Sequence, residues 1–241
     1  MLQRMPVGHT EWKVLAHEPV QKLSENLWRV EGTLDRTSFR RVMTLGRRAD
    51  GAVVIHNGIA LEAELMTEIE AWGEPKYLVV PNRYHRLDAA VFVARYPSIR
   101  VFAPRAATAA VKKATPEVCG YEEYPTDASV EMSHIPGLGE AEGAMIVHSS
   151  DGTTLVLNDI VFNMPHQPGL IGWMMHYITR STGEPRISRI SRLLLAKQPQ
   201  QLKQWLLEQA DRPDLCRIIV SHHQMVVDRP AEVLRRVAES L

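Results

Sequence analysis

The chain has 241 residues; 28 basic and 28 acidic side chains leave no net charge, 45% of residues are hydrophobic and 6% aromatic. Such a chain can bury a sizeable core, but it offers no net field toward nucleic acid or an anionic membrane and few rings for bases to stack on. Its two cysteines, Cys119 and Cys216, sit in no C-x-x-C pair, which excludes a disulfide framework and a zinc ribbon.

Residues 1–15 include Arg4, His9, Glu11 and Lys13 without an apolar centre and do not read as a signal peptide. Leu27-Trp28-Arg29-Val30 and Arg41-Val42-Met43-Thr44-Leu45 alternate and predict two half-exposed strands. Val53-Val54-Ile55, after the turn Asp50-Gly51, predicts a buried strand. Leu61, Leu65, Ile69 and Trp72 form a helical stripe, and Leu78-Val79-Val80 is the next strand beyond Gly73-Glu74-Pro75. Leu87, Val91 and Ala94 predict a short helix, and Val101-Phe102 a strand. Met145-Ile146-Val147 and Leu155-Val156-Leu157 are consecutive strands around Asp151-Gly152. Residues 163–172, rich in proline and glycine, read as a long loop, with Trp173-Met174-Met175 as a lid or packing surface. Ile187, Ile190 and Leu194 predict a helix, and Pro199 opens another with Leu202, Trp205 and Leu206. Ile218-Ile219-Val220 is the last strand, and Pro230 opens the last helix, which buries Val233, Leu234, Val237 and Leu241. Nothing in this order marks a domain boundary, so one domain is expected over residues 1–241, with residues 1–24 as an N-terminal extension. No apolar stretch reaches the ~20 residues that span a bilayer. The expectation is a cytoplasmic protein that binds neither membrane nor nucleic acid.

Four polar segments end apolar strands: His56-Asn57-Gly58, Pro81-Asn82-Arg83-Tyr84-His85-Arg86-Leu87-Asp88, Asn158-Asp159 and Ser221-His222-His223. A fifth, His134-Ile135-Pro136-Gly137-Leu138-Gly139, ends in a tight turn. Loops at strand ends are held rigidly by the sheet, and ligand sites form there. No glycine-rich dinucleotide or phosphate loop and no Gly-x-Ser-x-Gly elbow is present.

In order and spacing these segments resemble the metallo-β-lactamase superfamily, from about Trp28 to the C-terminus. That family has a strand ending in His-x-His-x-Asp-His, then a Pro-Gly-His turn, a strand carrying a bridging aspartate, and a late strand ending in histidine. The segment beginning Pro81-Asn82 is similar to the first of these, Ile135-Pro136-Gly137-Leu138 to the turn, the strand ending in Asp159 to the third, and Ile218-Ile219-Val220-Ser221-His222-His223 to the last. The resemblance implies an α/β (α+β) fold, a four-layer αββα sandwich of two mixed sheets. It also exposes departures. In one register Asn82, Tyr84, Arg86 and Leu87 take the metal-ligand positions; in a register shifted by one, His85 and Asp88 fall on two of them. Leu138 replaces the turn histidine. Asp159 and one of His222 or His223 fit either way. Asn82-Arg83-Tyr84-His85 also resembles a branch of the superfamily in which Asn-x-x-His replaces the metal motif.

The resemblance therefore implies a degenerate binuclear site whose cleft binds a small molecule or a protein partner, with no cofactor expected. His85 and Asp159 are the catalytic candidates; Asn82, Arg83, Tyr84, Arg86 and Asp88 are the binding ones. The alternative is a metal-dependent hydrolase with a rearranged mononuclear site. It would hold zinc, iron or manganese on His85, Asp159 and one of His222 and His223, with Asp88 as a partner or base. His222 and His223 are adjacent on a strand end and should point to opposite faces. The Asp159 carboxylate needs positive charge beside it, which Arg83, Arg86, His85 or His222 could supply. A homo-oligomer is compatible with all of this.

Overall fold

The apolar runs become strands covered on both faces. The computed structural model describes residues 8–35 and 39–241. Its first sheet holds β1 (Gln21–Ser24), β2 (Leu27–Thr33), β3 (Arg40–Arg47), β4 (Ala52–His56), β5 (Glu74–Val79), β6 (Arg100–Ala103) and β7 (Cys119–Gly120), in sequence order. Pairing is antiparallel as far as β4 and parallel beyond it. The parallel crossovers run through α1 (Ala63–Trp72), α2 (Ala89–Arg95) and α3 (Thr108–Val111). In the second sheet β8 (Val130–His134), β9 (Gly143–Ser149) and β10 (Gly152–Val156) are antiparallel, and β11 (Leu215–Ile219) pairs parallel to β10. Between β10 and β11 the chain forms α4 (Gly169–Tyr177), α5 (Arg189–Leu194) and α6 (Pro199–Ala210); α7 (Pro230–Glu239) closes it.

Period-two alternation sorts the side chains into three apolar layers. Val53 and Ile55 of β4 face α1 and α2, where Met66, Ile69 and Phe92 bury against them. Ala52 and Val54 face the other way and meet Val130, Met145 and Val156 of the second sheet. The far face of that sheet, with Ile146, Leu155 and Ile218, is covered by Leu202, Leu206, Leu234 and Val237 of α6 and α7. The result is the expected αββα sandwich of two mixed sheets.

Three local expectations fail. β2 and β3 are not half-exposed, because Leu27, Val30, Val42, Met43 and Leu45 are all buried. These strands lie inside the sheet, so one face meets α1 and the other meets the second sheet; their polar positions alternate with apolar ones yet Arg29 and Arg41 are buried too. The loop foreseen over residues 163–172 is interrupted by α4, which begins at Gly169. The helix foreseen from Ile187, Ile190 and Leu194 forms as α5 but buries its serines and exposes Ile190 and Leu194.

β4 and β5 run parallel, as do β10 and β11, so four strand ends carry their polar loops to one place. Backbone bonds from Val42 N to Ser221 O (2.9 Å) and from Asn57 N to Val79 O (2.9 Å) fix those loops to the sheets. The Pro136-Gly137 turn is packed against α6 instead: Lys197 N donates to Gly137 O (2.8 Å), and Gly137 has φ 84°, a conformation glycine adopts freely. Gly143 opens β9, and a Cβ there would lie 2.1 Å from the Tyr121 ring and 2.5 Å from Ser133 O. Gly143→Ala is expected to lower the unfolding free energy by about 3 kcal/mol, read from the urea midpoint; an unchanged midpoint would mean that β8 and β9 are not packed this tightly.

Candidate functional site

Asp159 follows β10 and is the centre of the polar cluster. Its Oδ1 lies 3.1 Å from His85 Nε2 and 3.0 Å from His222 Nε2, and Asn82 Nδ2 donates to its Oδ2 at 2.7 Å. The side chains of His85, Asp159 and His222 are 9%, 19% and 12% exposed, so the cluster is sheltered but reachable. The ligand atoms of these three residues all lie within 4.8 Å of one another, the only group of three such residues found among those described.

The far side of each imidazole is committed. His222 Nδ1 donates to Arg40 O at 2.7 Å. His85 Nδ1 lies 3.1 Å from Asn57 Oδ1. Asn57 spends its Nδ2 on Val42 O (2.8 Å), so the atom it offers His85 is an acceptor. Both rings therefore carry their proton on Nδ1 and turn Nε2 toward Asp159. Two neutral Nε2 atoms would set three acceptors against one another. Two positive charges resolve this: either each ring takes a second proton, or a divalent cation sits among the three donors.

A buried network stands behind Asp159. Asn82 Nδ2 also donates to Glu142 Oε1 at 2.8 Å, and its Oδ1 accepts from the backbone N–H of Tyr84 (2.8 Å) and His85 (3.2 Å). One amide thus turns the loop and bridges two carboxylates. Glu142 accepts further bonds from Asn158 Nδ2 (3.2 Å) and Ile160 N (3.0 Å), and the Ser221 hydroxyl bonds Asn158 Oδ1. Burial and then the charge of Asp159 push the Glu142 carboxyl up to about 8. Burial also opposes ionisation of Asp159, but His85 and His222 outweigh it and hold that carboxyl well below the usual range. His222 is raised above 6.5, because its bond to Asp159 and that group's charge outweigh burial. His56, fully buried beside His85, is pushed down to about 3, first by burial, and is neutral.

The remaining sequence candidates lie elsewhere. Arg86 donates to Ala110 O at 2.6 Å, and Arg83 lies over the exposed Tyr84 ring, so neither arginine bonds Asp159; the two histidines do. Asp88 has no place at the cluster. Its fully buried carboxylate takes Arg41 Nη1 (2.7 Å), His9 Nδ1 (2.7 Å) and Ala60 N (3.2 Å). Of the two adjacent histidines, His222 faces the site. His223 has φ 63°, and its ring turns toward the backbone of Arg40 (3.5 Å), with its pKa lowered to about 4 by burial and then by His222. Leu138 is fully buried under α6. Sequence reasoning missed Glu142, which follows the polar run Glu140-Ala141 and reads there as turn surface.

Solved structures share this architecture over nearly the whole chain. The metallo-β-lactamase DIM-1 superposes with a TM-score of 0.60 at 14% identity, covering 95% of this chain and 99% of its own. The chain has the metallo-β-lactamase fold. TMB-1 matches at a TM-score of 0.60 and 14% identity, covering 94% and 99% of the two chains. FIM-1 from Pseudomonas aeruginosa, solved in its mono-zinc form, matches at 0.57 and 10%, covering 95% and 98%. By sequence the chain matches no family model and no curated protein. In this metallo-β-lactamase-fold chain the polar loops of the two sheets meet where Asp159, His85 and His222 meet.

Two predictions follow from the network. Asn82→Asp places an ionised carboxylate beside that of Asp159 and should cost about 3–5 kcal/mol near neutral pH. Asn82→Ala, which only deletes donors, should cost about 1–3 kcal/mol. Urea unfolding at pH 7 separates them, and the gap should narrow at about pH 5 as the introduced carboxyl protonates beside Asp159. Equal losses at both pH values would remove Asn82 from between the acids. The second prediction concerns chelator-treated protein. Glu142 and His222 are both raised, so each binds its proton more tightly when folded. The stability they contribute is complete below their unfolded values and is lost as pH rises through the folded ones. Unfolding free energy should therefore fall from about pH 5 to about pH 8, by at least about 2 kcal/mol. Glu142→Gln, a mimic of the protonated acid, should remove most of that slope; an unaltered slope would place its origin elsewhere.

Proposed function

We propose that this chain is a metal-dependent hydrolase working from one divalent cation held by His85, Asp159 and His222. The observation that carries the reading is the commitment of both imidazole Nδ1 atoms to oxygen acceptors, which leaves two Nε2 lone pairs and a carboxylate converging on one point. Metal-ligating histidines are commonly oriented in this way by an acceptor behind the ring. Two imidazoles and one carboxylate are three of the four donors of a catalytic zinc site, and they suit iron and manganese as well. Their mutual spacings bracket the roughly 3.4 Å between neighbouring ligands of a tetrahedral site. One cation is a state known for this fold, since the FIM-1 structure is a mono-zinc form. The binuclear arrangement is not proposed, because Leu138, Tyr84 and Arg86 supply no ligand to a second ion.

A cation at this point would polarise a substrate oxygen and acidify water. The protein's own contribution is orientation. Asn57 and the Arg40 carbonyl hold the rings, and Asn82 holds the carboxylate. Phe162 stacks on His222 with ring centroids 5.7 Å apart and planes within 3°, giving the approach to the cluster an apolar wall. Glu142 stays behind Asn82, out of reach of substrate, and sets the charge balance of Asp159.

Elemental analysis of purified protein should find about one equivalent of zinc, iron or manganese, the number that one three-ligand site holds. Chelation should abolish hydrolysis of a panel of β-lactam, thioester, lactone and phosphodiester probes, and a single metal should restore it. His222→Ala and Asp159→Asn should each weaken binding of added zinc by roughly a hundredfold or more, by calorimetry. Protein that holds and takes up no metal would overturn the hydrolase reading and leave the cluster a binding site.

A further inference from the structure

Helix α4 contains no aspartate, glutamate, lysine or arginine. Leu170, Trp173, Met174 and Tyr177, with Ile178 just beyond, recur at the spacing of one helical face, and all five are exposed. On α5 the same holds for Ile190, Leu193 and Leu194, with Leu193 80% exposed. These eight belong to the eleven large hydrophobic side chains exposed among the described residues, so the apolar surface is concentrated here rather than scattered.

The two helices are joined end to end. Arg189 N donates to Thr179 O at 2.8 Å, and its guanidinium reaches Ile178 O at 3.0 Å. The inward side of α5 is polar: Ser188 caps it through Ser191 N, and the Ser191 hydroxyl donates to Asp159 O at 2.8 Å. A surface helix normally buries its apolar side and wets its polar side. α5 does the reverse, which calls for a cover on its outer face.

Area and charge select the cover. At about 200 Å² for a large side chain, roughly half or more of it exposed, the face amounts to roughly 900 Å², the size of one side of a standard protein interface. Three of the arginines along the rim are spent, and Arg180, exposed just beyond α4, is the one that is not. Arg189 bonds α4 carbonyls, Arg192 bonds Ser240 O and Leu241 O, and Arg186 pairs with Glu184 at 2.8 Å. A membrane-surface helix needs free basic groups along its edge for lipid headgroups. This face has only one, Arg180, and homodimer interfaces are the apolar class.

We propose that the α4–α5 face is the contact between two copies of this chain, packed isologously, with Trp173 and Leu193 as its anchors. The test is sedimentation velocity on the full chain at micromolar concentration. The expected result is a dimer whose dissociation constant is weakened roughly thirtyfold or more by Trp173→Glu or Leu193→Glu. Val227→Glu, at an exposed apolar residue outside this face, should leave the dimer intact. Trp173→Ser is a milder variant should the charged ones fold poorly, and circular dichroism checks each fold. A wild type that stays monomeric at high concentration, or a dimer indifferent to both anchors, overturns the proposal. So does monomeric binding to phosphatidylserine vesicles that is lost on the same substitutions, which would assign the face to a membrane.

Discussion

A carboxylate held in a sheltered cluster must be matched by positive charge, and at Asp159 the surrounding structure is arranged around that requirement. One strand end of the first sheet and two of the second bring His85, Asn82, Asp159 and His222 together. The orientation of the histidines is settled one layer further out, by Asn57 and by a carbonyl of β3. Because Asn57 is itself tied to Val42 O, the position of a ring in the site is determined by backbone inside the first sheet. The site is rigid for the same reason that the sandwich is: its hydrogen bonds continue those of the strands.

Asn82 is the residue on which the two acids depend. An amide is the only side chain of its size that can donate twice from one end and accept twice at the other. Here both capacities are filled, by two carboxylates and by two backbone N–H groups. A histidine at this position could ligate a metal, but it could not bridge Asp159 to Glu142 while also closing the loop. The amide thus gives this position a structural task of its own, and the buried Glu142 is its counterpart.

Much of the sandwich could be read from the sequence because buried strands advertise themselves as apolar runs between turns, and proline marked the starts of α6 and α7. Asp159 and His85 stand out in the sequence because they follow apolar strands, and the structure brings them together with His222. Three things could not be read. β2 and β3 alternate like half-wet strands, yet Arg29 and Arg41 are buried by ion pairs that sequence does not reveal. Asp88 shares a loop with His85, and its direction depends on Arg41, 47 residues earlier, and on the N-terminal segment. Glu142 looks like turn surface, and its burial follows from how β9 enters the second sheet.

The clasp on Asp88 reaches beyond the site. Its partner His9 lies 79 residues away in sequence, in a stretch that hydropathy alone would set aside as an appendage. Trp12 continues the attachment, donating to Leu61 O at 2.8 Å and tilting against Phe92. Trimming the chain at residue 24 would strip a hydrogen-bond partner from the fully buried Asp88 carboxylate and uncover part of the α2 packing. The segment thus works as a clasp: His9 binds both Asp88 and Leu87 O and holds the loop that carries His85.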